Sequence, residues 1–332
     1  MRKNVSIWLL LLGIGISNAQ PATGYYSAVD GKKGAAVKTA LMGAIDVHTQ
    51  RTYKQLWTDF RTTDCRPDGK VWDMYSSVTN YVFGTDQNTG SFKVEGDNYN
   101  REHSMPKSWF HDGYPMYTDL FHLYPTDSYI NGMRSNYPFG EVGTVTKQSS
   151  GGFSKLGKSS VSGYSGTVFE PNDEYKGDFA RTYFYMVTRY ENNVAGWSSD
   201  MLSKNAYPAF TDWALGVLLK WHRQDPVSEK EINRNNAVYG IQKNRNPYID
   251  YPVLAEFVWG ELVDVVVDVE RLELYSHTYD ATAIGHLQSG ASVVIGVYDL
   301  AGRRVEHASR GLYIVYYLLD DGSVVSRKAI YD

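Results

Sequence analysis

The sequence is poor in three features that would point directly to a class of protein: cysteine, net positive charge and long apolar runs. Its 332 residues include one cysteine, Cys65, so no internal disulfide can form and the fold must depend on its core. The formal net charge of −4 excludes a global attraction to polyanions, and a nucleic-acid site would need a local basic patch or a metal ion. After the N-terminus, no stretch approaches the roughly 20 apolar residues that a membrane helix requires.

The N-terminus has the pattern of a secretory signal peptide. Arg2 and Lys3 precede an apolar run at residues 5–16, and the small residues at 17–19 are typical of a cleavage site. We therefore expect residues 1–19 to be a signal peptide, and the mature protein to be secreted or displayed at the cell surface without a membrane span.

Hydrophobic periodicity divides the remaining chain into three parts. Residues 20–34 are weakly patterned and predict an extended leader, whereas residues 35–261 mix helical periods with short strands and predict an α+β domain. Residues 262–332 are dense in alternating β-branched residues and predict a separate small all-β, sandwich-like domain. Helices are expected at residues 35–60 with one break, 175–192, 208–223 and 228–242, and strands at 71–76, 80–83, 263–269, 272–275, 293–298, 312–319 and 324–330, with a hairpin turn at 320–322.

Residues 99–136 bring a carboxylate, an imidazole and a carboxamide close together in sequence. Residues 99–104 are expected to be extended, because the residue before Pro106 is disfavoured in the helical region, and this places Glu102 and His103 on a strand. Thr126 and Asp127 are good N-cap candidates for a following helix that carries Asn131 and Arg134 on one face. Carboxylate and amide oxygens can hold a divalent ion and an imidazole can accept a proton from water, which is sufficient for hydrolysis of a phosphodiester.

Several sequence blocks resemble one nuclease family. The residues Asn-Arg-Glu-His at 100–103, Asp-Leu at 119–120, Leu-Tyr-Pro at 123–125 and Asn-Gly-Met-Arg-Ser-Asn at 131–136 resemble the endonuclease I family of secreted, nonspecific nucleases with a ββα-metal (His-Me finger) fold. Further blocks at 180–186 and 240–247 follow in the order of the family, so the resemblance covers residues 35–260.

The resemblance implies a site and a reaction. It places the metal ligands on Glu102 and Asn131 and the general base on His103, whose second ring nitrogen would be held by a backbone carbonyl. It also implies Mg²⁺ as the cofactor, with Mn²⁺ or Ca²⁺ as alternatives, and DNA, RNA or both as the substrate, cut to leave 5′-phosphate ends by a monomeric enzyme. Arg134 and Arg181 are the candidates for binding the substrate phosphate.

The sequence departs from the family in three respects. It lacks the disulfides of some members, and its short segment 106–119 offers no counterpart to an arginine that some members direct at the phosphate. It also has Phe121 and His122 where other members have His-Asn, which leaves the role of His122 open.

The C-terminal part has a resemblance of its own. The residues Val-Tyr-Asp-Leu at 297–300, Gly-Arg at 302–303 and Gly-Leu-Tyr-Ile-Val at 311–315 look like a sorting domain that directs cargo to the type IX secretion system. This resemblance implies that the secretion machinery is a partner and that the module is not catalytic.

Other interpretations of the same residues stay open at the level of sequence. A Glu-His pair also occurs on ordinary solvated strands, Arg134 could form a surface salt bridge, and Arg181 could pair with Asp178 or Glu174 on its own helix. The aromatic content of 14% and the acidic balance are also compatible with an extracellular glycan-binding or adhesive protein without catalysis. A glycoside hydrolase is a weaker alternative, because no second carboxylate can be placed opposite Glu102.

Overall fold

The structure of the protein is a computed structural model that describes residues 21–273, 293–299, 303–305, 311–318 and 324–331. The predicted signal peptide and the predicted hairpin turn lie outside the described residues. Within the described ranges, no helix is both long enough and apolar enough to cross a bilayer.

The described residues form ten α-helices, arranged around one that is buried on every side. The central helix, α4, has no exposed residue along its whole length, as expected for a helix that packs on all faces. The helices are α1 (Ala35–Ile45), α2 (Leu56–Thr63), α3 (Ser128–Arg134), α4 (Lys176–Arg189), α5 (Glu191–Val194), α6 (Asp212–Gln224), α7 (Glu229–Gln242), α8 (Pro247–Asp250), α9 (Leu254–Trp259) and α10 (Val269–Glu273).

The strands form three small antiparallel sheets. The first sheet pairs two strands, the second has the order β3-β4-β5 and the third has the order β6-β7-β8. The strands are β1 (Tyr99–His103), β2 (Leu123–Asp127), β3 (Val142–Gln148), β4 (Lys155–Ser159), β5 (Thr167–Glu170), β6 (Val293–Tyr298), β7 (Gly311–Leu318) and β8 (Val324–Tyr331). This mixture of helices and separate antiparallel sheets confirms the α+β class.

The first sheet and α3 form one continuous strand-strand-helix unit. In the sheet Glu102 lies opposite Tyr124, and β2 leads directly into α3. The Asp127 side chain caps this helix by accepting a hydrogen bond of 2.8 Å from the backbone N–H of Ile130. The predictions that His103 lies on a strand and that Asp127 opens the next helix are therefore confirmed.

Ion pairs between buried side chains connect the helices of this chain, whose single cysteine cannot form an internal disulfide. Arginines in this interior each bind a carboxylate, and most of these pairs join elements that are distant in sequence. The pairs are Arg181 with Glu231, Arg234 with Asp64, and Arg245 with Asp250. Because a charge left alone in the interior is strongly unfavourable, each pair specifies one arrangement of its elements.

Asp119 is the centre of a buried hydrogen-bond network beside β2. One carboxylate oxygen accepts from the backbone N–H of Phe121 and from the amide of Gln242, and the other accepts from the hydroxyls of Tyr185 and Tyr190. The network thus joins the connection before β2 to both α4 and α7. The Asp-Leu block that carried part of the family resemblance is therefore part of the scaffold.

Two of the predicted strands before the site are irregular instead. Residues 71–76 and 80–83 form bends and turns, apart from one isolated bridge between Cys65 and Val71. The buried carboxylate of Asp73 organises this segment by accepting hydrogen bonds from the backbone of Tyr75, the hydroxyl of Thr79 and the backbone of Asp127. The alternation of apolar residues does not predict this irregular structure, because the Asp73 side chain, and not strand pairing, orders the segment.

The predicted borders of the domain also need correction. Within the predicted leader, Tyr26 is buried and donates a hydrogen bond to Asp250. The strands expected at residues 263–269 and 272–275 are absent from the described part of this region, which holds turns and α10. Leu262, Val267 and Leu272 are buried in the main core, so the α+β domain extends past the boundary expected after residue 261.

In the C-terminal part, three of the predicted strands are confirmed as β6, β7 and β8. They form a single three-stranded antiparallel sheet, and the second sheet of a sandwich is not found among the described residues.

The Asp119 network predicts a large effect of one substitution on stability. Asp119→Ala would leave four buried donors without an acceptor, each costing about 1–3 kcal/mol, so we expect the free energy of unfolding to fall by more than about 4 kcal/mol. Urea denaturation measures this change. The control Asp264→Ala removes an exposed carboxylate and should leave stability nearly unchanged. Equal stabilities of the two variants would contradict the role given to Asp119.

Candidate active site

The carboxylate of Glu102 is held at the junction of β1 and α3. The residue is 3% exposed, and its Oε1 atom accepts hydrogen bonds of 2.9 Å from the Tyr75 hydroxyl and 2.9 Å from Nη1 of Arg134. Both donors bind the same oxygen, and the backbone of His103 also forms a hydrogen bond with this carboxylate. The burial excludes the interpretation of Glu102 as a charge on a solvated strand.

The surroundings of Glu102 suit a cation ligand. Burial raises the pKa of the Glu102 carboxyl to about 7, because the charged form loses its hydration, while Arg134 and Tyr75 act in the opposite direction. A bound divalent cation would favour the charged carboxylate and counteract the effect of burial.

His103 is held as a neutral base by its hydrogen bond. Its Nε2 atom lies 3.0 Å from the carbonyl oxygen of Tyr117, and since a carbonyl only accepts, Nε2 carries the proton and Nδ1 is the acceptor. Burial lowers the pKa of His103 well below its usual value, and the neighbouring His122 lowers it further. The rings of Tyr117 and Tyr53 pack beside the imidazole, with centroids 5.0 Å and 6.0 Å away.

Asn131 lies one helical turn before Arg134 on α3. Residues three apart share a face of a helix, so the Asn131 carboxamide and the Arg134 guanidinium project from the same side of α3. The residue is half-buried, and in the described part of the chain no protein group forms a hydrogen bond with its side-chain amide. Its oxygen is therefore available as a ligand.

The donors present fit a lightly coordinated hard cation. Within the described ranges, no cluster of three or more His, Cys, Asp or Glu side chains could hold a metal ion. The two predicted ligands, Glu102 and Asn131, would supply one carboxylate and one amide oxygen, and Mg²⁺ typically binds through one or two protein oxygens and keeps several waters. A site built for Zn²⁺, which needs three or four protein ligands, does not fit these residues.

Arg134 does not have the phosphate-binding role expected from the sequence. It is fully buried, and besides Glu102 it donates to the carbonyl oxygens of His103 and Ser104 and to the hydroxyl of Tyr183. Its guanidinium also lies 4.8 Å from the centre of the Phe139 ring. A substrate phosphate cannot reach a group enclosed in this way, so Arg134 is a scaffold residue that fastens α3 to β1.

The substrate-binding role predicted for Arg181 is also not supported, because this side chain is enclosed as well. It is fully buried in α4 and binds both carboxylate oxygens of Glu231 on α7, at 2.6 Å and 2.7 Å. It also donates to the carbonyl oxygen of Asp225. The ion-pair partner of Arg181 is therefore Glu231, fifty positions away, and not Asp178 or Glu174 on its own helix. This enclosed guanidinium is not available to a substrate.

The sequence does not identify Tyr75 and Tyr117 as partners of the site residues, and it leaves the role of His122 open. Tyr75 binds Glu102 across 27 positions, and Tyr117 holds His103 through a backbone atom that any residue could supply. His122 is buried with its ring centroid 5.4 Å from that of His103, and its Nε2 atom lies 2.7 Å from the carbonyl oxygen of Met116. Neither tyrosine stands in a pattern that distinguishes it from the other tyrosines of a chain with 27 of them.

Comparison with known proteins identifies a family. The model of the Endonuclease I family matches residues 33–253. The chain is 36% identical over 241 residues to an extracellular ribonuclease of Bacillus amyloliquefaciens and 33% identical over 242 residues to that of Bacillus subtilis (strain 168). In both cases the match covers 71% of this chain and 78% of the relative. An extracellular deoxyribonuclease of Aeromonas hydrophila is 27% identical over 134 residues, which are 40% of this chain and 48% of the relative.

The contacts of Arg134 predict a loss of stability instead of a loss of substrate affinity alone. Arg134→Ala would leave the buried Glu102 charge without its partner, and we expect the free energy of unfolding to fall by about 3–5 kcal/mol. Chemical denaturation measures this change, with Arg66→Ala as the matched control, because Arg66 is only partly buried and its partner Asp68 is exposed. If Arg134→Ala had normal stability and only a raised KM, the phosphate-binding role would be restored.

Proposed function

Because the chain belongs to the endonuclease I family and is a nuclease that hydrolyses phosphodiesters, we propose that it is a secreted, divalent-metal-dependent endonuclease of the ββα-metal type without sequence specificity. The observation that supports this proposal is the packing of α3 against β1, in which Arg134 of α3 binds the Glu102 carboxylate and the carbonyl oxygen of His103. The order of two antiparallel strands followed by a helix supports the ββα-metal assignment.

His103 acts as the general base in this proposal. The hydrogen bond to the Tyr117 carbonyl keeps the proton on Nε2, so Nδ1 can take a proton from the attacking water. The low pKa of the buried imidazole ensures that the acceptor nitrogen is unprotonated at neutral pH. The water oxygen then bonds to phosphorus as the bond from phosphorus to the 3′-oxygen breaks, which leaves a 5′-phosphate end.

Glu102 and Asn131 hold the cofactor in this proposal, for which Mg²⁺ fits best and Mn²⁺ or Ca²⁺ are alternatives. A bound divalent ion would stabilise the negative charge that develops on the phosphate and on the leaving 3′-oxygen. Tyr75 and Arg134 orient the Glu102 carboxylate through Oε1. Arg134 also anchors the helix that presents Asn131.

The substrate class and the export route follow from the relatives. Relatives named as ribonucleases and as deoxyribonucleases both match, so we propose that the enzyme cuts RNA, DNA or both. Relatives named as extracellular support export, which agrees with the signal peptide proposed at residues 1–19. We also propose that the C-terminal sheet belongs to a sorting module recognised by the type IX secretion machinery, and that the enzyme acts as a monomer.

The base is tested by removing its imidazole. His103→Ala should lower kcat by a factor of about 10²–10⁴ on plasmid DNA and on RNA in the presence of Mg²⁺, because a positioned base contributes that much to proton transfer. The control is His111→Asn, which changes an exposed histidine at a φ of 58° that asparagine tolerates, and it should cleave normally. Undiminished cleavage by His103→Ala would remove the proposed mechanism.

The metal ligands are tested by binding as well as by activity. Glu102→Gln and Asn131→Ala should each weaken Mn²⁺ affinity by at least about tenfold, measured by isothermal titration calorimetry, and EDTA should abolish cleavage by the unmodified protein. Asn136→Ala is the matched control, because this asparagine belongs to the same sequence block but is exposed beyond the end of α3. Unchanged Mn²⁺ affinity in both ligand variants would exclude this site.

A further inference from the structure

Arg101 is a cation beside the proposed base that has no carboxylate partner. It lies two residues before His103 on β1, and residues two apart on a strand project from the same face. Its guanidinium carbon lies 3.6 Å from the centre of the Tyr53 ring and 4.3 Å from that of the Trp57 ring. Its Nη1 atom donates to the carbonyl oxygen of Tyr53 at 2.8 Å, and its buried Nε atom has no hydrogen-bond partner.

This arrangement differs from that of the other enclosed arginines. Arg134, Arg181, Arg234 and Arg245 each pair with a carboxylate, whereas no acidic side chain in the described part of the chain forms an ion pair with Arg101. Removing a cation partly from water without a counter-charge costs free energy, and an anionic ligand would offset that cost. The two aromatic rings hold the guanidinium in place for such a ligand.

The positive surface continues from Arg101 along α2. Trp57 and Arg61 are four residues apart on this helix and therefore share a face. Together with Lys54 they line a cleft of about 500 Å³ that adjoins Arg101 through the Trp57 ring. Lys54 and Arg61 are exposed, and neither forms an ion pair with any described residue.

We propose that this surface, formed by Tyr53, Lys54, Trp57, Arg61 and Arg101 and named here the cationic-aromatic track, binds the backbone phosphates of the nucleic acid beside the phosphate that is cut. The proposal rests on the proposed function and supplies the substrate contacts that the buried Arg134 and Arg181 do not provide. Arg101 binds the phosphate nearest to His103, and Lys54 and Arg61 bind phosphates further along the strand. Contacts of this kind carry no sequence information, which agrees with nonspecific cleavage.

Two observations place Arg101 close to the proposed base. Tyr53 packs against both Arg101 and His103, so the nearest cation is separated from the imidazole by one aromatic ring. The spacing of two residues along β1 corresponds to about 6.6 Å, so Arg101 and His103 are close enough to contact neighbouring phosphates of one strand. A phosphate bound at Arg101 would therefore lie close to the one positioned for attack.

The test measures how binding depends on salt. The full-length protein is titrated, in EDTA to prevent cleavage, with a fluorescent DNA duplex at several NaCl concentrations. Each lost phosphate contact should reduce the slope of log K against log salt by about 0.9. We expect Arg101→Gln to reduce it by about 0.9 and the double variant Lys54→Gln/Arg61→Gln by up to about 1.8, with Kd raised at least about fivefold in each case.

Two further variants separate charge from folding. Arg66→Gln is the matched control, because Arg66 is a partly exposed arginine already paired with Asp68, and its slope should not change. Arg101→Lys keeps the charge and should keep the slope even though it loses the planar stacking. Because Lys54 and Arg61 are exposed, an unchanged slope in their double variant overturns the proposal for that part of the track even if Arg101→Gln is unstable.

Cleavage kinetics distinguish failure of the track from failure of the proposed function. With Mg²⁺, the track variants should raise KM and leave kcat nearly unchanged, as expected for contacts made equally before and during the reaction. If the unmodified protein cleaves while the variants retain both KM and the salt slope, the track is refuted and the proposed function stands. If the unmodified protein neither binds nor cleaves nucleic acid, both are refuted.

Discussion

The site depends on the buried contact between Arg134 and Glu102. This one guanidinium binds the carboxylate on β1, two backbone carbonyls of the same segment and the Tyr183 hydroxyl on α4. Desolvation of two charges offsets much of their attraction, so the pair contributes less to net stability than its short distance suggests. The pair does fix the position of α3 relative to β1, because any arrangement that separates them leaves two unpaired charges in the interior. The side chain of Asn131 is placed by the same constraint.

The sequence blocks that identify the family serve the scaffold as much as the chemistry. Asp119 collects four donors, Arg181 joins α4 to α7, and Arg245 binds Asp250. In the same block as Arg245, the Asn246 side chain caps α8 and also donates to the carbonyl oxygen of Arg181. A chain without disulfides needs such buried polar networks to fix the relative positions of its helices. A motif residue of this kind is easily mistaken for a substrate ligand.

The distribution of charge over the protein is more informative about nucleic-acid binding than its net charge. A net charge of −4 gives no general attraction to nucleic acid, yet the side of the site formed by β1 and α2 carries three cations without acidic partners among the described residues. The buried arginines Arg134, Arg181 and Arg234 are each paired with a carboxylate. The cations of the cationic-aromatic track have no such partner in the described ranges and can bind an anionic ligand. Local pairing, and not the total, therefore decides where a polyanion can bind.

Much of the local structure around the site follows from the sequence alone. The residue before Pro106 favours an extended segment, Asp127 caps α3, and Ser228 with Glu231 forms the capping box that begins α7, because each of these signals acts within a few residues. The tertiary structure alone decided which arginines are enclosed and which residue supplies the carbonyl oxygen that holds His103. Those outcomes depend on partners that are tens of residues away or on backbone carbonyls, and neither leaves a periodic trace in the chain. The sequence alone does not show whether an arginine pairs with a buried carboxylate or faces a binding site at the surface. Only the fold distinguishes these two roles.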